Sequence, residues 1–184
     1  MKKRRIFIAI SISPKLKKIA LKFLNDFRTN IPIKKTKEEN MHITVVFCGD
    51  TPDERLKKLK QDAERIIKQV SKFQLTPKKI VFATPHARTP NMIWIIFKHS
   101  PEFVELSKKF SSHAPKKMKE VFPHITLARF DCSNFHGLKK LIPPGGVNLE
   151  NEALSFSVER INIMESAPSL NGRKYKLLKT FELV

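Results

Sequence analysis

Ile6, Ile8 and Ile10 alternate with Phe7, Ala9 and Ser11, so the pattern opens with a largely buried strand from Arg5 to Ser11. Ser13-Pro14 reads as an N-cap with proline in the first turn. Leu16, Ile19, Ala20, Phe23, Leu24 and Phe27 then recur at helical spacing. Ile31 to Asn40 is a polar connector. Met41 to Cys48 is an apolar strand ended by Gly49-Asp50. Thr51-Pro52, with Glu54 three residues after Thr51, predicts a capping box, and Leu56, Leu59, Ala63, Ile66, Ile67 and Val70 give the second helix its apolar face. Phe73 to Ala83 and Met92 to Phe97 read as strands around a loop holding Pro85 and Pro90. Ser100-Pro101 starts a third helix through Phe103, Leu106 and Phe110. Lys116 to Glu120 is a charged, flexible stretch, Pro123 to Phe130 a strand, and Asn134 to Leu141 is unassigned. After the turn Pro143 to Gly146 comes a long strand from Leu154 to Met164. A loop from Ser166 to Arg173, with Asn171-Gly172 at its tip, leads to a last strand ending at Leu183. Strands mixed with three helices, several adjacent in sequence, predict an α+β fold with two mainly antiparallel sheets. The whole chain, 1–184, is expected to form a single bilobal domain.

Composition narrows the function. The chain carries 36 Lys+Arg against 17 Asp+Glu, a formal charge of +19, which favours polyanions such as RNA or nucleotides as partners. With 41% hydrophobic residues, including 14 Phe, global disorder is excluded. Two cysteines, Cys48 and Cys132, cannot make a disulfide framework, so a reducing, cytoplasmic location is expected. No apolar run approaches the roughly 18 residues of a membrane span. Lys2-Lys3-Arg4-Arg5 before Ile6 to Ile12 imitates a signal peptide, but the apolar stretch is short and lacks a cleavage site. No obligate protein partner is called for, and a monomer is the default.

The chemistry lies in a repeated element, His42-Ile43-Thr44-Val45 and His124-Ile125-Thr126-Leu127, the two copies 82 residues apart. Six His in 184 residues make about 0.3 chance His-x-Thr occurrences, so two within apolar strands stand out. On a strand, residues i and i+2 share a face, so each histidine points the same way as its threonine and the aliphatic residues point into a core. Two such strands side by side would present two imidazoles and two hydroxyls to one cleft. One imidazole can take a proton from water while the other gives one to a leaving oxygen, and the hydroxyls can hold phosphate oxygens. Zinc-type His and Cys spacings, nucleophile elbows and phosphate-cradling glycine loops are absent, so no metal and no cofactor are expected. A His2Cys2 site would need Cys48 and Cys132 beside the histidines, and nothing in the spacing requires it.

Arg5-Ile6-Phe7-Ile8-Ala9-Ile10, Glu39-Asn40-Met41-His42 through Asp50, and Phe122-Pro123-His124 through Arg129 resemble the two-histidine phosphoesterase superfamily. Within it the chain looks most like the RNA 2′,3′-cyclic phosphodiesterases, also called the 2′-5′ RNA ligase or LigT-type family. Val158 to Met164, Ser166 and Gly172-Arg173-Lys174-Tyr175 through Phe181 are similar to that family's last hairpin. The resemblance implies a bilobal fold with both motifs facing a central cleft and helices packed outside. It also implies metal-independent hydrolysis of RNA 2′,3′-cyclic phosphate ends, tRNA halves among them, to 2′-phosphomonoesters, with reversible 2′-5′ ligation. By position His42 matches the proton donor, His124 the acceptor, Thr44 and Thr126 the phosphate-holding hydroxyls, and Arg129 a cationic phosphate contact. Strict alternation points Arg129 away from His124, so its reach needs a bulge. Phe47 and Tyr175 could stack on a base, although core packing is the better account of Phe47. His86, His99, His113 and His136 read as surface residues. Lysine density between His113 and Lys119, and Met41 beside His42, depart from the family pattern. Two alternatives stand beside this reading: a non-catalytic RNA- or nucleotide-binding module, and a sister phosphodiesterase acting on 2′-5′ oligonucleotides.

Overall fold

A computed structural model describes residues 3–83, 89–116, 121–170 and 172–184. Pro85, His86, Asn171 and most of the charged stretch at 117–120 lie outside the described residues. Eleven strands are described: β1 (Lys3–Ser11), β2 (Ile33–Lys35), β3 (His42–Pro52), β4 (Phe73–Leu75), β5 (Pro77–Ala83), β6 (Met92–Phe97), β7 (His124–Phe130), β8 (Val147–Asn148), β9 (Phe156–Val158), β10 (Arg160–Ser169) and β11 (Gly172–Glu182). The helices are α1 (Pro14–Asp26), α2 (Asp53–Ile67), α3 (Pro101–Lys109) and the short α4 (Phe135–Leu138). The fold is α+β. None of the described helices is long and apolar enough to cross a membrane.

The two antiparallel sheets expected from the sequence are half-sheets joined at one point. One runs β11-β10-β1-β3, the other β7-β6-β5-β8 with β2 also on β7, and they form a nine-stranded sheet. The join is a single antiparallel register pair, Ile43 opposite Ile125, at the start of β3 and β7. β4 and β9 make a separate two-stranded ribbon. Helical stripes close the core over the sheet: Leu16, Ala20 and Leu24 of α1, Leu56, Leu59 and Ala63 of α2, Phe103 and Leu106 of α3. Ile6, Ile8, Ile43, Ile93 and Ile125 beneath them are fully buried.

Helix starts follow local chemistry. Ser13 Oγ accepts from the Leu16 amide at 3.3 Å and Ser100 Oγ from the Phe103 amide at 3.2 Å, each with proline next in the chain. The capping box at Thr51 does not form. β3 runs on to Pro52, the Thr51 hydroxyl donates to the Gly49 carbonyl at 3.0 Å, and α2 starts without a side-chain cap. Asp53 and Glu54 instead meet the positive end of the helix dipole. Gly49 does not end β3 because it takes φ +69° at a bulge, a conformation glycine adopts without strain.

Three further segments differ from the sequence expectation. Phe73 to Ala83 is two strands broken at Thr76, since Pro77 cannot donate to a ladder and so begins β5. Leu154 to Met164 divides at Glu159, with β9 and β10 serving different sheets. The expected loop from Ser166 is strand up to Ser169, which pairs with Gly172 of β11. The connector Ile31 to Asn40 holds β2 and a 3₁₀ turn, Glu38–Asn40.

Candidate active site

The half-sheet join sets the geometry of both motifs. Extending the Ile43–Ile125 register by one residue each way places His42 opposite Thr126 and Thr44 opposite His124. Each histidine therefore faces the other motif's threonine across an approximate twofold, on the side away from the buried isoleucines. β3 and β7 overlap only here and then diverge.

Both rings are oriented in the same way. His42 Nδ1–H donates to the Asn40 carbonyl at 2.7 Å, and His124 Nδ1–H donates to the Phe122 carbonyl at 3.1 Å. A carbonyl only accepts, so Nδ1 carries the proton in both and Nε2 is the nitrogen that titrates. In the neutral ring His42 Nε2 accepts from the Thr44 hydroxyl at 3.1 Å. Burial lowers the pKa of both histidines, partly offset by the carbonyl each bonds, and the Arg129 charge lowers both further.

Arg129 is on the same face as His124, for the reason the sequence could only pose as a question. Opposite β6, Trp94 pairs with Thr126 and Ile93 with Ala128, leaving Leu127 as an extra residue. This bulge shifts the alternation by one, so His124, Thr126 and Arg129 share a face. β3 repeats the device: Ala9 pairs with Thr44 and Ile8 with Val46, so Val45 is the extra residue and Phe47 joins His42 and Thr44. Phe47 is accordingly not core. It is 40% exposed, with the Arg5 guanidinium 4.9 Å from its ring centroid. The α3 hydroxyl of Ser107, fully buried, donates to the Val45 carbonyl at 3.1 Å and satisfies the bulge.

Aromatic rings hold both imidazoles from behind. Trp94, 6% exposed, stacks on His124 with centroids 4.0 Å apart at 24°. Phe7 lies 4.9 Å from His42, and Tyr175 meets His42 edge-on at 5.1 Å. Trp94, Phe7 and Asn40 were not singled out by the sequence reading. Phe7 had a signal, being the one aromatic residue on the Phe7-Ala9-Ser11 face; Trp94 had only its alternation with Met92 and Ile96.

His113 overturns its surface assignment. It is 6% exposed, and its Nε2 lies 3.1 Å from Asp62 of α2. Asp62 is 51 residues away in sequence, so nothing local announces the pair. His99 and His136 are exposed, and His86 lies outside the described residues. Cys48 is buried near Arg55, its thiol pushed up to about 12 chiefly by burial, whereas Cys132 is exposed. Among the described residues no group of three or more His, Cys, Asp or Glu is placed to hold a metal ion. A hollow of about 720 Å³ lined by Val81, Phe82, Phe135 and Lys139 includes none of the site residues.

Comparison with known proteins shows the family and the fold. The model of the 2′-5′ RNA ligase superfamily matches residues 20–169. An RNA 2′,3′-cyclic phosphodiesterase of Methanocaldococcus jannaschii is 29% identical over 178 residues, covering 95% of this chain and 98% of the relative. One of Thermotoga maritima is 24% identical, covering 95% and 92%. The structure of Escherichia coli LigT superposes with a TM-score of 0.79 at 20% identity, covering 100% of this chain and 99% of LigT. LigT has also been crystallised with 3′-AMP and with NADP+.

Proposed function

Because the chain belongs to the 2′-5′ RNA ligase superfamily, we propose that it hydrolyses RNA 2′,3′-cyclic phosphate ends to 2′-phosphomonoesters, without a metal ion. The observation that carries this reading is the paired orientation of the rings: Nδ1 of each is bound to a main-chain carbonyl, leaving two Nε2 atoms on one face beside two threonines and Arg129.

His124 Nε2 takes a proton from water as the oxygen attacks phosphorus. Protonated His42 Nε2 donates to the departing 3′ oxygen as the P–O3′ bond breaks, leaving the phosphate on the 2′ oxygen. Thr44 and Thr126 donate to the non-bridging oxygens, and Arg129 neutralises charge gathered there. Base and acid end the cycle with exchanged protonation states, and proton exchange with solvent resets them. With a 5′-hydroxyl end in place of water as the nucleophile, the same groups in the same roles would form a P–O5′ bond as the P–O3′ bond breaks, which is 2′-5′ ligation.

The test is a short RNA ending in a 2′,3′-cyclic phosphate, incubated in EDTA, with the product's phosphate position mapped. A 2′-phosphate is expected. His42→Ala and His124→Ala should each lower turnover by about 10² to 10⁴ while the fold is retained. Full activity in both variants would remove the acid–base assignment, and binding without reaction would favour the non-catalytic module. Activity lost in EDTA and restored by zinc would end the metal-independent reading.

A further inference from the structure

We propose that Lys34 and Arg173, beside Arg129, form a second anion position at the rim of the site, for the phosphodiester one nucleotide upstream of the reacting end. The inference rests on the RNA-end reading above and narrows its substrate to oligonucleotides in preference to nucleoside 2′,3′-cyclic phosphates.

β2 pairs with β7 so that Lys34 stands directly opposite Arg129. Directly opposed residues share a face, and this face also carries His124 and Thr126. The Lys34 amine reaches on to the β10–β11 hairpin, where a Cβ added to Gly172 would lie 3.2 Å from it. The next residue, Arg173, is two positions from Tyr175 and therefore on its face, and Tyr175 packs against His42. Asn40 fixes this rim to the site: its side-chain amide donates to the Arg173 carbonyl at 3.0 Å, while its own carbonyl holds His42.

All three cations are exposed, and none is in an ion pair among the described residues. The Arg173 guanidinium has a long contact, 3.4 Å, with the Ser166 hydroxyl. Glu38, in the same connector, turns to Lys17 at 3.9 Å instead. Three like charges brought together repel, so packing gives no reason for the arrangement and a polyanion does. Arg129, turned onto the face of His124 and Thr126 by the bulge at Leu127, belongs with the reacting phosphate. Lys34 is one strand further out, about 4.8 Å, and so falls to the next phosphate along the chain.

The test compares adenosine 2′,3′-cyclic phosphate with the ApA dinucleotide bearing the same cyclic end. Wild type should prefer the dinucleotide by about tenfold or more in kcat/KM, because only it has the upstream phosphate. Lys34→Ala, and Lys34→Gln as a second variant, should reduce that preference about fivefold. They should also reduce the salt dependence of dinucleotide binding by about 0.7 in log–log slope, one single-strand phosphate contact. Lys139→Ala, removing an equal charge beside α4, should leave the preference intact. A wild type without preference, or a preference indifferent to Lys34, overturns the inference and leaves the RNA-end reading standing. Hydrolysis of neither substrate overturns both.

Discussion

Two main-chain carbonyls decide which nitrogen of each histidine is available, and the surrounding residues decide when it is charged. Both pKa values are pushed below the usual 6.5, by burial first and then by Arg129. Neutral His124 is what a base requires. Neutral His42 is not what an acid requires, and an anionic phosphate bound between them would raise its pKa again. The basic limb of kcat, read on the bound complex, should therefore lie at higher pH than the basic limb of kcat/KM, and coincident limbs would refute this pairing. The protonation of His124 can be watched directly. Trp94 is the single tryptophan of the chain and stacks on His124. An imidazolium quenches a stacked indole, so Trp94 emission should fall as pH drops, with a midpoint below 6.5. His124→Ala should abolish that titration. A midpoint at or above 6.5 would contradict the burial of the ring.

At the scale of elements, the site depends on two bulges as much as on two motifs. Val45 and Leu127 each add one residue to a strand, and each turns the residue two further on toward the histidines, Phe47 in one case and Arg129 in the other. Ser107 of α3 holds the first bulge through the Val45 carbonyl. Ser107→Ala leaves that buried acceptor unmet and should cost about 1 to 3 kcal/mol in denaturant unfolding. It should also lower turnover, because Thr44 and Phe47 lie on either side of the bulge; unchanged stability would mean that strand pairing alone holds it. The bulges also mark where the sequence stops being readable. His42, Thr44, His124 and Thr126 are legible because period-two alternation is intact between them. The faces of Arg129 and Phe47 are not: the family resemblance names Arg129, but one extra residue reverses parity and only the register with β6 or β1 reveals which way each points. Lys34 is hidden for a related reason: its partner Arg129 lies 95 residues on, and three residues are too few to show a period. The helices were legible from their caps and stripes, except at Thr51, where a strand competed with the capping box for the same hydroxyl and prevailed.

Across the whole molecule, the histidines also tie stability to pH. His42, His113 and His124 sit on three separate segments, and burial lowers the pKa of each. Asp62 beside His113 pulls the other way without reversing the direction. An unfolded chain would protonate each ring near 6.5, so the unfolded state binds more protons as pH drops through that value. A group whose folded pKa is depressed contributes stability that is fully present above about 6.5 and is lost as pH falls toward the lowered folded values. The protein already carries +19, so every added proton also increases self-repulsion. The thermal midpoint should therefore hold steady from pH 8 to 7 and decline between 6.5 and 5.5, before most carboxylates titrate. Added salt should recover part of the decline by screening the net charge, but not the part set by burial of the three rings. Replacing His113 by Gln removes one titrating group and should flatten the profile while lowering its plateau, since Asp62 loses one of its two partners and keeps only Arg65. A midpoint independent of pH across this window would show that the rings are solvated in the folded state.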